Sequence, residues 1–340
     1  MKIAILAPVT WRTPPRNYGP WEQVASVLTE GLVKEGIDVT LFATGDSVTR
    51  AKLQSVWGKP LGEYPGDAKV VECLHISNLM EQAGKFDIIH NHFDFLPLTY
   101  SGLIRTPVIT TIHGFSSEQI VPVYKKYNAH THYVSISNSD RHPDLKYLGT
   151  VYNGLDERQF EFGKGKEDYL LYFGRIHPHK GAYEAIQIAI QSERKLIICG
   201  LIQDQQYFNE KVSPYLNEAS VTYLGNAAPK QRNQLLGDAL ALLHPISFEE
   251  PFGLSVAEAM MCGTPVIAFN RGSMKELIFD GKTGFLVNNI EEAVVAVTKI
   301  AGIKRCECRT HAMEKFSSEV MVFSYIKLYE QIMRKAKTSS

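Results

Sequence analysis

Two short stretches place charged side chains where chemistry on an anion would need them. The first is Gly174-Arg175-Ile176-His177-Pro178-His179-Lys180-Gly181, which follows the apolar run Tyr169–Phe173 and precedes a helical pattern beginning near Ala182. A strand, a glycine-containing turn and a helix start form an anion site, because the first N–H groups of a helix have no intrahelical acceptor. Arg175 offers a planar fork to phosphate oxygens and Lys180 a flexible point charge, so the pair suits one diphosphate. A solvated basic loop would read the same way. The spacing is not that of a P-loop, since Gly-x-x-x-x-Gly-Lys-Ser/Thr is absent. The second stretch is Ser247-Phe248-Glu249-Glu250-Pro251-Phe252-Gly253, after the run Ala239–His244. A helix over Glu250–Met261, opening around Phe252, would leave the N–H groups of Phe252, Gly253 and Leu254 free for an anion. Glu250 and Glu258 lie eight residues apart, about two helical turns. That separation suits carboxylates accepting hydrogen bonds from sugar diols better than two acids cleaving one bond. Capping of the helix by Glu249 or Glu250, with Glu258 merely solvated, is the other reading.

The elements that must hold these residues form a repeating pattern. Short β-branched runs alternate with amphipathic stretches: Ile3–Ala7, Asp38–Ala43, Phe86–His90, Val108–Ile112 and His132–Ile136, then Tyr169–Phe173, Lys195–Ile198, Val221–Leu224, Ala239–His244 and Pro265–Ala268. Runs apolar on both faces and separated by helices predict parallel sheets covered on both sides. Trp21–Lys34 reads as a helix with Val24, Val27, Leu28 and Leu32 on one face. At 340 residues the chain fits two domains. The rhythm breaks once, at the polar stretch 156–168, which predicts domains over 1–157 and 158–315. Two doubly wound sheets facing each other would gather the carboxyl ends of their strands at a shared cleft, where ligands of such folds bind.

Composition excludes several classes. Lys plus Arg and Asp plus Glu number 36 each, so no global field favours nucleic acid. No apolar run of about 18 residues exists, and the apolar N-terminal run is too short for a secretion signal. Membrane contact would be peripheral at most, and the expected location is cytoplasmic. The five scattered cysteines fit reduced thiols, and Cys306-Glu307-Cys308 fits a helix linker rather than a metal site. His90 and His92 alternate at a strand end and should point to opposite faces. A dinucleotide oxidoreductase would need Gly-x-Gly-x-x-Gly after the first strand, where Pro8-Val9-Thr10-Trp11 stands.

Gly-Arg-x-x-x-x-Lys-Gly, followed about 70 residues on by Glu-Pro-Phe-Gly-x-x-x-x-Glu-Ala-Met-x-x-Gly-x-Pro-Val, resembles the retaining glycosyltransferases of family 4. The likeness continues through Gly272, Glu276-Leu277-Ile278 and Asp280–Val287, and in the first half through Asp87–His92, Thr111-Ile112-His113-Gly114 and Asn153-Gly154-Leu155-Asp156. It thus covers nearly the whole chain. The resemblance implies two Rossmann-like domains in the GT-B arrangement, an α/β fold with an interdomain cleft, and a terminal helix of about 316–340 returning to the first domain. It implies that Arg175 and Lys180 bind the donor diphosphate, Glu250 the transferred sugar, Phe252–Leu254 the sugar and phosphate through backbone amides, and Glu258 the ribose. It places His113 beside the donor sugar, and Gly200, Tyr223 and Leu224 near the base. Arg175 and Lys180 would neutralise charge without a divalent metal or any cofactor. One departure is the loop after the first strand, where family members carry a glycine pair. Here only Gly19 remains, among Trp11, Arg12, Arg16, Tyr18 and Trp21, with Glu22 at the place of the acid that often follows. Gly19 would still admit close approach of phosphate or acceptor, and the aromatics suggest a distinctive acceptor surface, with Trp21 alternatively in the helix core.

The expected function is retaining transfer of a hexose from a nucleotide-sugar to an acceptor hydroxyl, by front-face attack assisted by the leaving diphosphate. UDP-glucose is the first donor choice and GDP-mannose the second. The acceptor could be a small molecule, a glycan or a lipid-linked sugar. A non-catalytic nucleotide-sugar-binding protein and a GT-B epimerase are the alternatives.

Overall fold

The computed structural model describes residues 1–338 except 17, 65, 116, 166 and 218. The chain divides into two compact units, Met1–Gly154 with the segment from Ser318 onward, and Leu155–Ser317.

Among the described residues the first unit holds a seven-stranded sheet in the order β3-β2-β1-β4-β5-β6-β7. Its strands are β1 Lys2–Leu6, β2 Asp38–Phe42, β3 Lys52–Gln54, β4 Ile88–Asn91, β5 Val108–Ile112, β6 His132–Ser135 and β7 Tyr147–Thr150. All neighbours pair in parallel, with Leu6 opposite Phe42 on one side and Asn91 on the other. The chain leaves β1 first in one direction and then in the other, so the β1/β4 boundary is the switch point of this sheet. Ile3, Ile5, Val39 and Leu41 bury one face against the helix Pro20–Lys34. Ala4, Leu6, Phe42 and Ile89 bury the other against the helix Ala68–Met80. That two-sided burial explains why these runs carry no polar alternation.

The terminal helix, Ser318–Thr338, packs on the first of these faces with Val322, Tyr325, Tyr329 and Ile332 buried. Residues 339 and 340, within the expected helix, lie outside the described residues. A Cβ on Gly31 would stand 2.3 Å from Val322 Cγ2, so glycine is what lets the helix Pro20–Lys34 cross this closely. Two tyrosines join the helix to the sheet: Tyr329 Oη lies 2.6 Å from His90 Nδ1, and Tyr325 Oη 2.6 Å from Thr111 Oγ1. His90 Nε2 completes the chain at 2.7 Å from Thr111 Oγ1. Buried polar atoms are tolerated here because each finds a partner.

The second unit holds a six-stranded parallel sheet among its described residues, ordered β10-β9-β8-β11-β12-β13. These are β8 Tyr169–Phe173, β9 Lys195–Cys199, β10 Val221–Tyr223, β11 Ala241–His244, β12 Val266–Phe269 and β13 Gly284–Val287. Its switch point is the β8/β11 boundary. The polar stretch expected to divide the domains is packed against this unit. Gly163 N–H donates to Cys262 O, and Arg305 spans Gly163 O, Ala239 O, Gly237 O and Thr264 Oγ1.

Three strands were not expected as such: Lys52–Gln54, Tyr147–Thr150 and Gly284–Val287. Each lies at a sheet edge and is three or four residues long, too short for periodicity to register. Among the described residues no helix is long and apolar enough to cross a membrane.

Tyr329→Phe removes the hydroxyl partner of His90 and leaves a buried ring nitrogen unpaired. Unfolding stability should fall by about 1–3 kcal/mol, measured by chemical denaturation. An unchanged midpoint would mean the tyrosine contributes only its ring.

Candidate functional site at the carboxyl edge of the second sheet

The residues singled out in the second half converge on the β8/β11 switch point. Glycines make the convergence possible. Gly200, at φ +152, sits after β9, where a Cβ would fall 1.8 Å from Gly174 O after β8. Its N–H donates to Gly225 O after β10, and Tyr223 Oη donates to Gly200 O at 2.8 Å. Leu224 beside it is exposed and apolar. The other side is fixed by Gly181, at φ +76, where a Cβ would meet Pro245 O at 2.0 Å. Ser247 N–H donates to His179 O, tying the loop after β8 to the loop after β11.

Lys180 therefore reaches the second acidic stretch. Its Nζ donates to Glu250 Oε2 at 2.5 Å and lies 4.5 Å from the centre of the Phe248 ring. His244, the last residue of β11, places Nε2 3.7 Å from the same oxygen. Burial would raise the Glu250 carboxyl, but His244 and Lys180 together outweigh it and hold the group down to about 2. The backbone of Glu250 is held as well. Ser273 N–H donates to Glu250 O and Ser273 Oγ to Phe252 O. Gly272, at φ +54, donates its N–H to Glu249 Oε2 at 2.5 Å. A side chain at Gly272 would meet Glu250 N at 2.4 Å, so this turn admits no Cβ.

The helix expected over Glu250–Met261 begins at Leu254, with Gly253 as N-cap at φ +89 and no side-chain cap. The correction has a physical cause. Pro251 cannot donate, Phe252 is drawn into the core edge-on to Phe316, and only glycine takes the left-handed turn that starts the helix. Neither Glu249 nor Glu250 caps it. The N–H groups of Gly253 and Leu254 still open the helix beside Glu250, whereas Phe252 contributes a buried ring. Glu258 is buried on the same helix, its Oε1 accepting from Arg232 Nη1 at 3.2 Å. Burial raises its carboxyl and Arg232 opposes the rise. Arg175 is half-buried and donates to Gln203 Oε1 at 2.6 Å. The two cations expected on one diphosphate thus hold different partners, Gln203 and Glu250.

In the first unit, His113 follows β5 and is buried, with Nε2 2.9 Å from His92 Nδ1 and its ring stacked on Trp21 at 5.4 Å. Burial pushes His113 down to about 3 and His92 well below the ordinary imidazole value, so both rings are neutral. His90 and His92 do not point to opposite faces; their ring centres lie 4.2 Å apart. The strand ends at Asn91, so the alternation rule stops before His92. Trp21 serves as a wall for His113, and Trp11 meets Tyr18 edge-on at 6.4 Å. Gly19, at φ +155, is boxed by Pro15, Trp11 and Glu22. Glu22 Oε1 accepts from Trp11 N–H at 3.0 Å, and burial lifts its carboxyl to about 7.

Arg232, Gln203, His244 and Glu249 carry no local motif, and only their three-dimensional neighbours single them out. Polar residues just after or ending strands are the one signal that could have flagged His244 and Gln203.

The description "Glycosyl transferases group 1" matches residues 155–317 and "Glycosyltransferase Family 4" matches residues 22–156. The chain belongs to the group 1 glycosyltransferases of family 4. An uncharacterized glycosyltransferase of Methanocaldococcus jannaschii is 24% identical across 94% of this chain and 97% of its own length. A GDP-mannose:cellobiosyl-diphosphopolyprenol alpha-mannosyltransferase of Komagataeibacter xylinus is 24% identical across 84% of each chain. The structure of HepE from Anabaena in complex with UDP and glucose shares the fold, with a TM-score of 0.72 at 20% identity over 99% of both chains. Like its structural neighbours, this glycosyltransferase has the GT-B fold.

Glu22 gives the first unit a pH signature. Its folded value lies above the unfolded one, so its contribution to stability is complete below the unfolded value and is lost as pH rises through about 7. Glu22→Gln cannot ionise and keeps an acceptor for Trp11. It should match wild type near about pH 4.5 and melt a few degrees higher at about pH 8. Parallel melting curves at both pH values would show that Glu22 does not titrate in this range.

Proposed function

We propose that this glycosyltransferase moves a hexose from a nucleotide-sugar to an acceptor hydroxyl with retention of configuration, without a divalent metal. The observation that carries the reading is the meeting of Lys180 and Glu250 at the β8/β11 switch point. A cation and a carboxylate in contact there match a ligand that presents phosphate and sugar hydroxyls side by side. Departure of a nucleoside diphosphate builds negative charge on phosphate. Lys180, Arg175 and the N–H groups of Gly253 and Leu254 are the groups available to stabilise it. Glu258, two turns beyond on a buried helix face, is assigned to the ribose diol.

Retention requires either a carboxylate nucleophile or attack from the face that the diphosphate leaves. Glu250 is held ionised by His244 and Lys180, and with Oε2 engaged by the Lys180 ammonium it is placed as an acceptor of sugar hydroxyls rather than as a free nucleophile. We therefore assign front-face attack, the departing phosphate taking the acceptor's proton. A covalent sugar adduct trapped on any carboxylate of the protein would overturn this assignment.

UDP-glucose is the first donor and GDP-mannose the second. The fold shared with a UDP- and glucose-bound protein supports the former, and the mannosyltransferase relative the latter. The acceptor is a hydroxyl compound: a small molecule, a glycan or a lipid-linked sugar.

Glu250→Ala should cut transfer at least about 100-fold while leaving nucleoside diphosphate binding within about threefold. Glu258→Ala should weaken both. Calorimetric titration of UDP and GDP alongside donor turnover separates the two effects. Tight nucleotide-sugar binding with neither transfer nor donor hydrolysis would favour a binding protein instead.

A further inference from the structure

The His244 residue is only 6% exposed, yet its Nε2 has no hydrogen-bond partner among the described residues. A buried imidazole nitrogen in that condition costs stability unless some state of the site satisfies it. Glu250 Oε2 lies 3.7 Å from it, beyond hydrogen-bond reach. The same oxygen already accepts the shorter bond from Lys180 Nζ. Lys180 and His244 therefore both face one oxygen, Oε2. Tyr172 on β8 is the other titratable group felt here, and its hydroxyl is committed to Arg175 O.

We propose that His244 is a positioning residue for the donor-sugar carboxylate: it takes over Glu250 Oε2 as Lys180 turns toward the donor diphosphate, so that Oε1 remains aimed at a sugar hydroxyl. This rests on the functional reading above, in which Lys180 meets phosphate and Glu250 meets sugar. A single ammonium cannot satisfy a buried carboxylate and neutralise a phosphate with equal strength. When its charge is shared, the buried carboxylate needs a second donor or it protonates. His244 stands at the end of a central strand with its backbone fixed in the sheet, so a small ring movement closes the gap. Burial pushes the His244 imidazole down and the Glu250 carboxylate beside it pulls the other way.

The test uses the full-length protein and three measurements: UDP and GDP binding by calorimetry, sugar transfer from the donor that wild type turns over, and the pH dependence of kcat/KM. His244→Leu should leave nucleoside diphosphate affinity within about twofold and lower kcat/KM about 10- to 100-fold, the size of one lost charge-assisted hydrogen bond. The acid limb of its pH profile should move to higher pH, because Glu250 protonates more readily without its second donor. His244→Gln, which keeps an N–H at similar reach, should recover most of the loss and restore the acid limb. A wild-type pH profile in His244→Leu would overturn the proposal, as would equal losses of nucleotide binding and transfer in both variants, which would mark a packing role. Failure of wild type to bind any nucleoside diphosphate would instead sink the functional reading beneath it.

Discussion

Much of the second unit is organised around a single constraint, a carboxylate that must stay ionised while removed from water. Glu250 is largely buried, and burial alone would favour its neutral form. His244 and Lys180 reverse that preference only by lying close, because the attraction falls off with distance while the desolvation penalty does not. Breaking such a pair by removing one partner costs about 3–5 kcal/mol, far more than an exposed ion pair is worth. The loops that bring the partners together are correspondingly rigid. Gly181 against Pro245, Gly272 against Glu250, and Ser247 on His179 fix the backbones from which the two side chains reach.

The first unit solves the opposite problem. Among its buried polar groups are three neutral imidazoles, a threonine and two tyrosine hydroxyls, the tyrosines joining the terminal helix to the sheet. No ion has to be desolvated, and donors are matched to acceptors through most of this group, with His92 Nε2 left without a partner among the described residues. Glu22 is the exception, an acid buried without a cation and consequently lifted to about 7. It holds Trp11 and walls in Gly19, so the loop that departs from the family's glycine pair has its own internal support.

The candidate site was legible where its members lie close together in the chain. Arg175 and Lys180 follow one strand in one turn, and Glu250, Gly253 and Glu258 surround one helix start, so residue type and spacing sufficed. The helix start itself was misplaced because Glu250 and Pro251 are compatible with a first turn on local grounds. What moved it to Leu254 was tertiary: the core claims Phe252, and Ser273 claims the carbonyls of Glu250 and Phe252. His90 and His92 illustrate the same limit, since alternation holds only while the strand continues.

By itself the sequence determined the class of the molecule: alternating buried runs dictate parallel sheets, and two local motifs set cations and a helix start beside carboxylates. Those features depend on neighbours within a few residues, whose geometry the backbone sets. The tertiary structure alone decided which charges meet. Lys180 pairs with Glu250 across 70 residues, Arg175 turns to Gln203, Arg232 supports Glu258, and His244 stands behind Glu250 with an unused nitrogen. The strength of each interaction depends on distance and burial, and neither exists until the strands are side by side.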